Sequence, residues 1–209
     1  MLLPRPRSLV RGSGAFVIDR DTSARGPEEL VRLLRRDLES TGLALATGDG
    51  PGIELSLEGA LGAEAYRLTV DEGAIRIAGG DRPGVFYGIQ TLRQLLPAAV
   101  YRRVAPPDLR WEVPAVAIED APRFPWRGAM LDVARHFMPR EFLFRWVDLL
   151  ALHKLNVLHL HLTDDQGWRF ESRRYPRLQE VASWRTETNG DGRPHGGFYT
   201  QDDLRELVA

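Results

Sequence analysis

Leu30, Leu34 and Leu38 recur every fourth residue between Pro27 and Gly42. Val31 and Leu33 widen the stripe, and Arg32, Arg35, Arg36 and Glu39 fall on the opposite side. That spacing predicts an amphipathic helix, with proline where a first turn tolerates it and glycine where a helix would stop. Ile53, Leu55 and Leu57 alternate with Glu54, Ser56 and Glu58, and Tyr66, Leu68 and Val70 alternate again. A period of two is that of half-buried strands. Asp71-Glu72-Gly73 reads as a turn into a returning strand with Ile75 and Ile77, and Phe16-Val17-Ile18 as a short strand near the start. After Gly79-Gly80-Asp81, the positions Val85, Phe86, Ile89, Leu92, Leu95 and Leu96 predict a second helix, which Pro97 ends. Strands with two helices on one face make a small α+β layer domain.

Two proline-rich stretches follow, with Pro97, Pro106 and Pro107 in the first and Pro114, Pro122 and Pro125 in the second. Proline lacks a backbone donor, so neither stretch is expected to form a helix interior or a central strand. The junction between two domains, 1–120 and 121–209, is expected there, at about Asp120. Beyond it, Gly128 to Val133 is a short apolar run, and Arg140 to His153 predicts a helix with apolar residues on more than one face, hence well buried. Val157 to Leu162 is apolar on both faces, as strands of covered parallel sheets are. Thr200-x-x-Asp203 resembles a capping box opening a further helix. Strand, helix, strand, loop and helix make two units of a β/α fold. An eight-unit barrel takes about 250 residues and a doubly wound sheet would also want more strands, so the second domain reads as a β/α domain interrupted inside its second helix, at Ala209.

Composition narrows the function. The 209 residues carry 28 Lys and Arg against 29 Asp and Glu, a formal charge of −1, which argues against a nucleic-acid-binding surface. There is no cysteine, which excludes disulfides, a thiol nucleophile and Cys-ligated metal centres. No apolar run reaches the roughly 18 residues of a membrane span, and Met1 to Arg7 precedes no run of the kind a secretory signal needs. Neither a nucleic-acid nor a membrane partner is therefore expected, and compartment stays open between cytoplasm and secretion.

In β/α folds, chemistry sits at the carboxyl ends of the strands. One such end carries Asp132, Arg135 and His136, and the other His159, His161, Asp164 and Asp165. Neighbouring strands lie about 4.8 Å apart, so an Arg135–Asp164 pair facing a polar pocket is expected. The guanidinium fork suits sugar hydroxyls or a carboxylate, and a structural ion pair closing the rim is the alternative. His159 and His161 point to one side of their strand and suggest a metal-dependent hydrolase, but a catalytic zinc needs about three ligands, and only Asp164 or His195 offers a third. Asp164 and Asp165 point to opposite faces unless the chain turns there. One is read as facing the pocket and the other as an anchor. Asp164 shares strand parity with Leu158, Leu160 and Leu162 rather than with the histidines, so either the chain twists after Leu162 or the inward face is misassigned. Gly196-Gly197 before the capped helix suggests close backbone approach or, weakly, a phosphate site. Trp126, Trp168 and Trp184 are candidates for stacking on sugars, although most tryptophans pack in cores.

Two long runs carry a family likeness. Trp126-Arg127-Gly128-Ala129-Met130-Leu131-Asp132-Val133-Ala134-Arg135-His136-Phe137 resembles the first barrel strand of the β-N-acetylhexosaminidases of glycoside hydrolase family 20. His153 to Arg169, with His159-Leu160-His161-Leu162-Thr163-Asp164-Asp165-Gln166-Gly167-Trp168, resembles the second strand and its loop, and Gly196 to Thr200 the next helix entry. Tyr66 to Val70 and Gly84 to Leu92 resemble the α+β domain that precedes this barrel. The resemblance implies an α+β accessory domain followed by a truncated (β/α)8 barrel. The activity it implies is removal of terminal β-linked N-acetylglucosamine or N-acetylgalactosamine from glycans or chitin fragments, with retention and with the substrate's acetamido group as nucleophile. By position, Arg135 matches the arginine that holds the sugar's ring hydroxyls, and Asp164 a carboxylate supporting the site through that arginine or a later histidine. His161, Asp165, Asp132 and His136 match structural or supporting positions. The family's Asp–Glu acid/base pair is expected after Ala209, so the chain alone is expected to be inactive, with the remainder of its barrel as partner. Neither cofactor nor metal is implied. The rivals are a metal-dependent hydrolase using His159 and His161, and a non-catalytic glycan-binding module.

Overall fold

Alternating apolar positions in the first part resolve into a six-stranded sheet with two helices. The computed structural model describes residues 2–39, 43–46, 50–102, 106, 108–186 and 192–208. The helix stop expected at Gly42, and Pro107, lie outside these. Two units separate, one comprising Met1–Pro125 with Leu152–Lys154 and the other Trp126–Ala151 with Leu155–Ala209. Among the described residues no helix is long and apolar enough to cross a membrane.

The first unit contains β1 (Ser8–Ile18), β2 (Ser23–Arg25), α1 (Glu28–Glu39), β3 (Gly52–Leu57), β4 (Tyr66–Val70), β5 (Ala74–Gly79), α2 (Arg82–Leu95) and β6 (Trp111–Asp120). The sheet order is β1-β6-β4-β5-β3-β2. The β5–β3 and β3–β2 pairs are parallel and the rest antiparallel. Leu30, Leu34 and Leu38 of α1 and Val85, Ile89 and Leu92 of α2 share one core with Ile53, Leu55, Leu68, Ile75 and Ile77. Leu57, at the end of its strand, breaks the alternation and is exposed. Asp81 caps α2, its carboxylate accepting from the Gly84 amide at 2.8 Å; a capped first turn typically adds about 1 kcal/mol.

Two expectations about the strands of this unit needed correction. The strand read at Phe16–Ile18 begins at Ser8, because β1 follows β6 through an irregularity between Arg11 and Ala15. The second proline-rich stretch does contain a central strand, β6, with Pro114 inside it. The β4 ladder reaches only from Asp120 to Val116, and Pro114 lies opposite Ala15 at the edge of that irregularity. The missing N–H therefore falls where β4 offers no partner, the kind of strand position that tolerates proline.

A polar cluster lies beside this core. Tyr66 Oη is 2.7 Å from Thr91 Oγ1, and Lys154 Nζ donates to Tyr66 Oη at 2.7 Å and to Asp120 Oδ2 at 3.0 Å. Burial pushes the ammonium of Lys154 below its ordinary pKa, against the opposing pull of Asp120. Lys154 also takes a positive φ of 60°.

The second unit contains β7 (Gly128–Asp132), α3 (Arg140–Leu152, whose last residue groups with the first unit), β8 (Val157–His161), β9 (Thr163–Asp164), β10 (Gly167–Trp168), α4 (Arg177–Ala182), β11 (Trp184–Thr186), β12 (Pro194–Gly196) and α5 (Gln201–Val208). β7 and β8 are parallel, with Met130 opposite His159 and Asp132 opposite His161. Leu131 and Leu160 face a small core of Val133, Leu143 and Tyr199. Thr200 and Asp203 form the expected capping box, with Thr200 N–H donating to Asp203 Oδ2 at 2.8 Å and Asp203 N–H to Thr200 Oγ1 at 3.0 Å. α3 departs from expectation. Only Leu143 and Leu150 are buried along it, and Leu149 is exposed, because the described elements cover a single face of this helix.

Candidate functional site

β7 and β8 end side by side, and the chain turns sharply after each. The Asp132 carboxylate makes the first turn. It accepts the Arg135 amide at 3.0 Å on Oδ1 and the Arg135 guanidinium at 2.6 Å on Oδ2. Short polar side chains commonly hold the backbone a few residues on in this way. The second turn follows Leu162, where β8 has ended and the β9–β10 hairpin begins. That change of direction resolves the parity conflict, since Asp164 no longer obeys the alternation of β8. His161 Nε2 donates to Asp164 Oδ2 at 2.7 Å, and Arg135 Nη2 lies 2.8 Å from the same oxygen.

Arg135, Asp132, Asp164 and His161 thus form one cluster at the carboxyl ends of two adjacent parallel strands. Asp164 is held down from 3.8 to about 2, first by the hydrogen bond from His161, then by Asp165 and by the charge of Arg135. The Asp165 amide donates to Asp164 Oδ1 at 2.8 Å while its own side chain is exposed. Burial would raise Asp132, but hydrogen bonds from the Arg135 amide and guanidinium outweigh it and lower its pKa. Arg135 is 55 % exposed. Each terminal nitrogen faces a carboxylate yet carries a second N–H, and Nε carries its single one, so donors remain for hydroxyl groups outside the cluster.

His136 stacks on His195 with ring centroids 4.3 Å apart. His195 Nε2 donates to the Phe137 carbonyl at 3.1 Å. His159 and His161 share a strand face, with centroids 6.2 Å apart. Among the described residues no group of three or more His, Asp or Glu is placed to hold a metal ion. The Gly196-Gly197 segment serves packing. A methyl group at Gly196 would come within 1.9 Å of the Ser183 carbonyl oxygen, and Gly197 takes a φ of 147° with the Phe137 ring against it. The Thr200, Gln201 and Asp203 amides at the start of α5 are already bonded, to Asp203, Glu171 and Thr200 side chains, so three of the donors a phosphate would use there are taken. Trp126 and Trp184 are exposed, whereas Trp168 is half-buried and donates to the Phe170 carbonyl.

Arg169 has no assigned role in the sequence reading, yet among the described residues it is the largest fully buried side chain, 1 % exposed. Nε donates to the Val133 carbonyl and Nη2 to the Ala134 carbonyl, both at 2.9 Å, while Nη1 reaches the carbonyls of Ser183 and Gly197. An arginine set between Trp168 and Phe170 is the one hint in the sequence, since charged residues are rarely buried unless paired.

Residues 1–121 match the model of glycosyl hydrolase family 20, domain 2, and residues 124–209 that of the glycosyl hydrolase family 20 catalytic domain. The chain is 44% identical over 183 residues to a β-hexosaminidase of Akkermansia muciniphila, covering 88% of this chain and 34% of that protein. Among solved structures it is similar to the family 20 β-N-acetylhexosaminidase of Streptomyces coelicolor, with TM-score 0.84, 40% identity, and 99% of this chain and 43% of that one covered. It is also similar to a Vibrio harveyi exo-β-N-acetylglucosaminidase solved with N-acetylglucosamine, with TM-score 0.86, 32% identity, and 99% and 33% covered. The chain spans about a third of the length of the curated relatives it matches. With one family model covering more than half of the residues and a second covering the part that bears the ion cluster, the chain belongs to glycosyl hydrolase family 20, as its domain 2 followed by the start of its catalytic domain.

Proposed function

We propose that, in an enzyme of its relatives' length, this chain supplies the accessory domain (1–120) and the first two strand–helix units (121–209) of a (β/α)8 barrel. That enzyme removes terminal β-linked N-acetylglucosamine or N-acetylgalactosamine from oligosaccharides. Arg135 binds ring hydroxyls of the terminal sugar. Asp164 holds Arg135 in place from the neighbouring strand, and Asp132, His161, Asp165 and His136 support the two turns. The observation that carries this reading is the Arg135–Asp164 pair, 2.8 Å apart at the carboxyl ends of adjacent parallel strands, where barrel enzymes keep their chemistry. In this family the acetamido group of the substrate is the nucleophile. The protein must therefore hold the pyranose so that its acetamido oxygen meets the anomeric carbon, and fixed donors on remote hydroxyls serve that end.

The Asp–Glu pair that orients the acetamido group and protonates the leaving oxygen is expected on the fourth barrel strand. The 209 residues alone are accordingly predicted to be silent on a chromogenic N-acetyl-β-glucosaminide, and the enzyme of the relatives' length to cleave it with no loss in a chelator. Cleavage by the 209 residues alone would overturn the assignment of the acid/base pair. Loss of activity in a chelator would favour the His159–His161 metal reading.

A further inference from the structure

Arg135 is the exposed end of a segment that is otherwise buried and bonded on both edges. Val133 and Ala134, immediately before it, are each 0% exposed. Their amides donate to a single acceptor, the His161 carbonyl, at 3.2 and 3.1 Å. Their carbonyls accept from Nε and Nη2 of Arg169, both at 2.9 Å. The segment that delivers Arg135 is thus fixed to β8 by its amides and to the chain after the hairpin by its carbonyls. Arg169 is itself anchored. Its amide donates to the Leu162 carbonyl at 2.9 Å, its carbonyl accepts from the Tyr199 amide at 2.9 Å, and its guanidinium lies over the Phe137 ring at 5.6 Å.

Leu162 is the residue at which the chain leaves β8 and turns toward Asp164. Arg169 therefore touches both turns that converge on the ion cluster, the one ending in Arg135 and the one carrying Asp164. We infer that Arg169 is a positioning residue, a buried guanidinium that sets Arg135 against the terminal sugar by clamping the Val133 and Ala134 carbonyls. The inference deepens the functional reading above and rests on it for the role of Arg135. A planar fork that meets two successive carbonyls through different nitrogens has no equivalent in lysine, whose single ammonium keeps the charge and loses the geometry. Gly167 belongs to the same device, because a methyl group there would come within 2.5 Å of the Arg169 guanidinium carbon.

The test combines two variants with two readouts. Arg169→Lys removes the fork, and Gly167→Ala displaces it without removing it. In an enzyme of the relatives' length, each is expected to lower kcat/KM for the N-acetyl-β-glucosaminide about ten- to hundredfold, the scale of an ångström-sized misplacement. In an Arg135→Ala background the same changes are expected to cost less than about twofold, because residues acting through a shared partner are not additive. A general loss of fold would lower activity equally in both backgrounds, and equal losses would overturn the inference. Should Arg169→Lys fail to fold, Gly167→Ala carries the test alone.

The second readout needs no substrate. In the 209-residue chain, trypsin cleavage after Arg135, followed by mass spectrometry, is expected to be slow and to accelerate at least about tenfold in either variant as local opening becomes easier. An unchanged cleavage rate would overturn the clamp. If the unsubstituted enzyme cleaved no N-acetylglucosaminide, the functional reading would fail while the proteolysis still decided whether Arg169 holds the Arg135 segment.

Discussion

Replacing Arg135 by alanine tests the proposed sugar contact. The guanidinium is 55 % exposed and sits at 2.6 and 2.8 Å from Asp132 and Asp164, so truncation leaves both carboxylates at an open rim rather than sealed in a core. Asp164 stays ionised at neutral pH without Arg135, because the His161 hydrogen bond is the largest contribution to its low pKa. The effect on catalysis is then chiefly the loss of charge-assisted hydrogen bonds to the sugar, worth about 1.5–3 kcal/mol. At about 1.4 kcal/mol per factor of ten, that is a fall of roughly ten- to 150-fold in kcat/KM. The assay is steady-state hydrolysis of a chromogenic N-acetyl-β-glucosaminide by an enzyme of the relatives' length, with thermal unfolding of the variant measured alongside. A loss in kcat/KM with little change in unfolding is the expected outcome. Unchanged kinetics in a folded variant would remove Arg135 from the sugar site and leave the Arg135–Asp164 pair as a purely structural rim contact.

Two further predictions concern charge. Asp120→Ala leaves the buried Lys154 ammonium without this carboxylate and is expected to cost about 3–5 kcal/mol in urea unfolding, whereas Asp120→Leu with Lys154→Met costs less; equal costs would refute the pairing. Asp164 titrates below its ordinary value in the folded chain, so its contribution to stability is complete above about pH 4 and is lost as pH falls toward about 2. The Asp164 carboxyl carbon followed by NMR is expected to show that low midpoint, and a midpoint near 4 would contradict the His161 and Arg135 contacts.

What the sequence disclosed follows from how local each feature is. The leucine stripe of α1, the strand alternation at Tyr66–Val70 and the capping box at Thr200 depend on a period or a spacing within one element, and each forms where the pattern puts it. The approach of Arg135 to Asp164 was also readable, because strand ends are short and neighbouring strands are close. The side on which Asp164 points was not, since it depends on the hairpin that begins at Thr163 and not on the register of β8. Pro114 misled because its tolerance depends on where the β4 ladder stops, a fact of pairing and not of the strand itself. Arg169 escaped notice because it meets backbone carbonyls, those of Val133, Ala134, Ser183 and Gly197, from three separate segments, which leave no side-chain pattern behind.

The central claim is that Arg135 and Asp164 border the sugar site. A crystal structure of an enzyme of the relatives' length carrying this chain, with N-acetylglucosamine bound, tests it most directly. The account predicts guanidinium nitrogens of Arg135 at about 2.7–3.2 Å from ring hydroxyls of the terminal sugar, with Asp164 still paired to Arg135. A sugar seated elsewhere, with Arg135 bound only to Asp132 and Asp164, would contradict it.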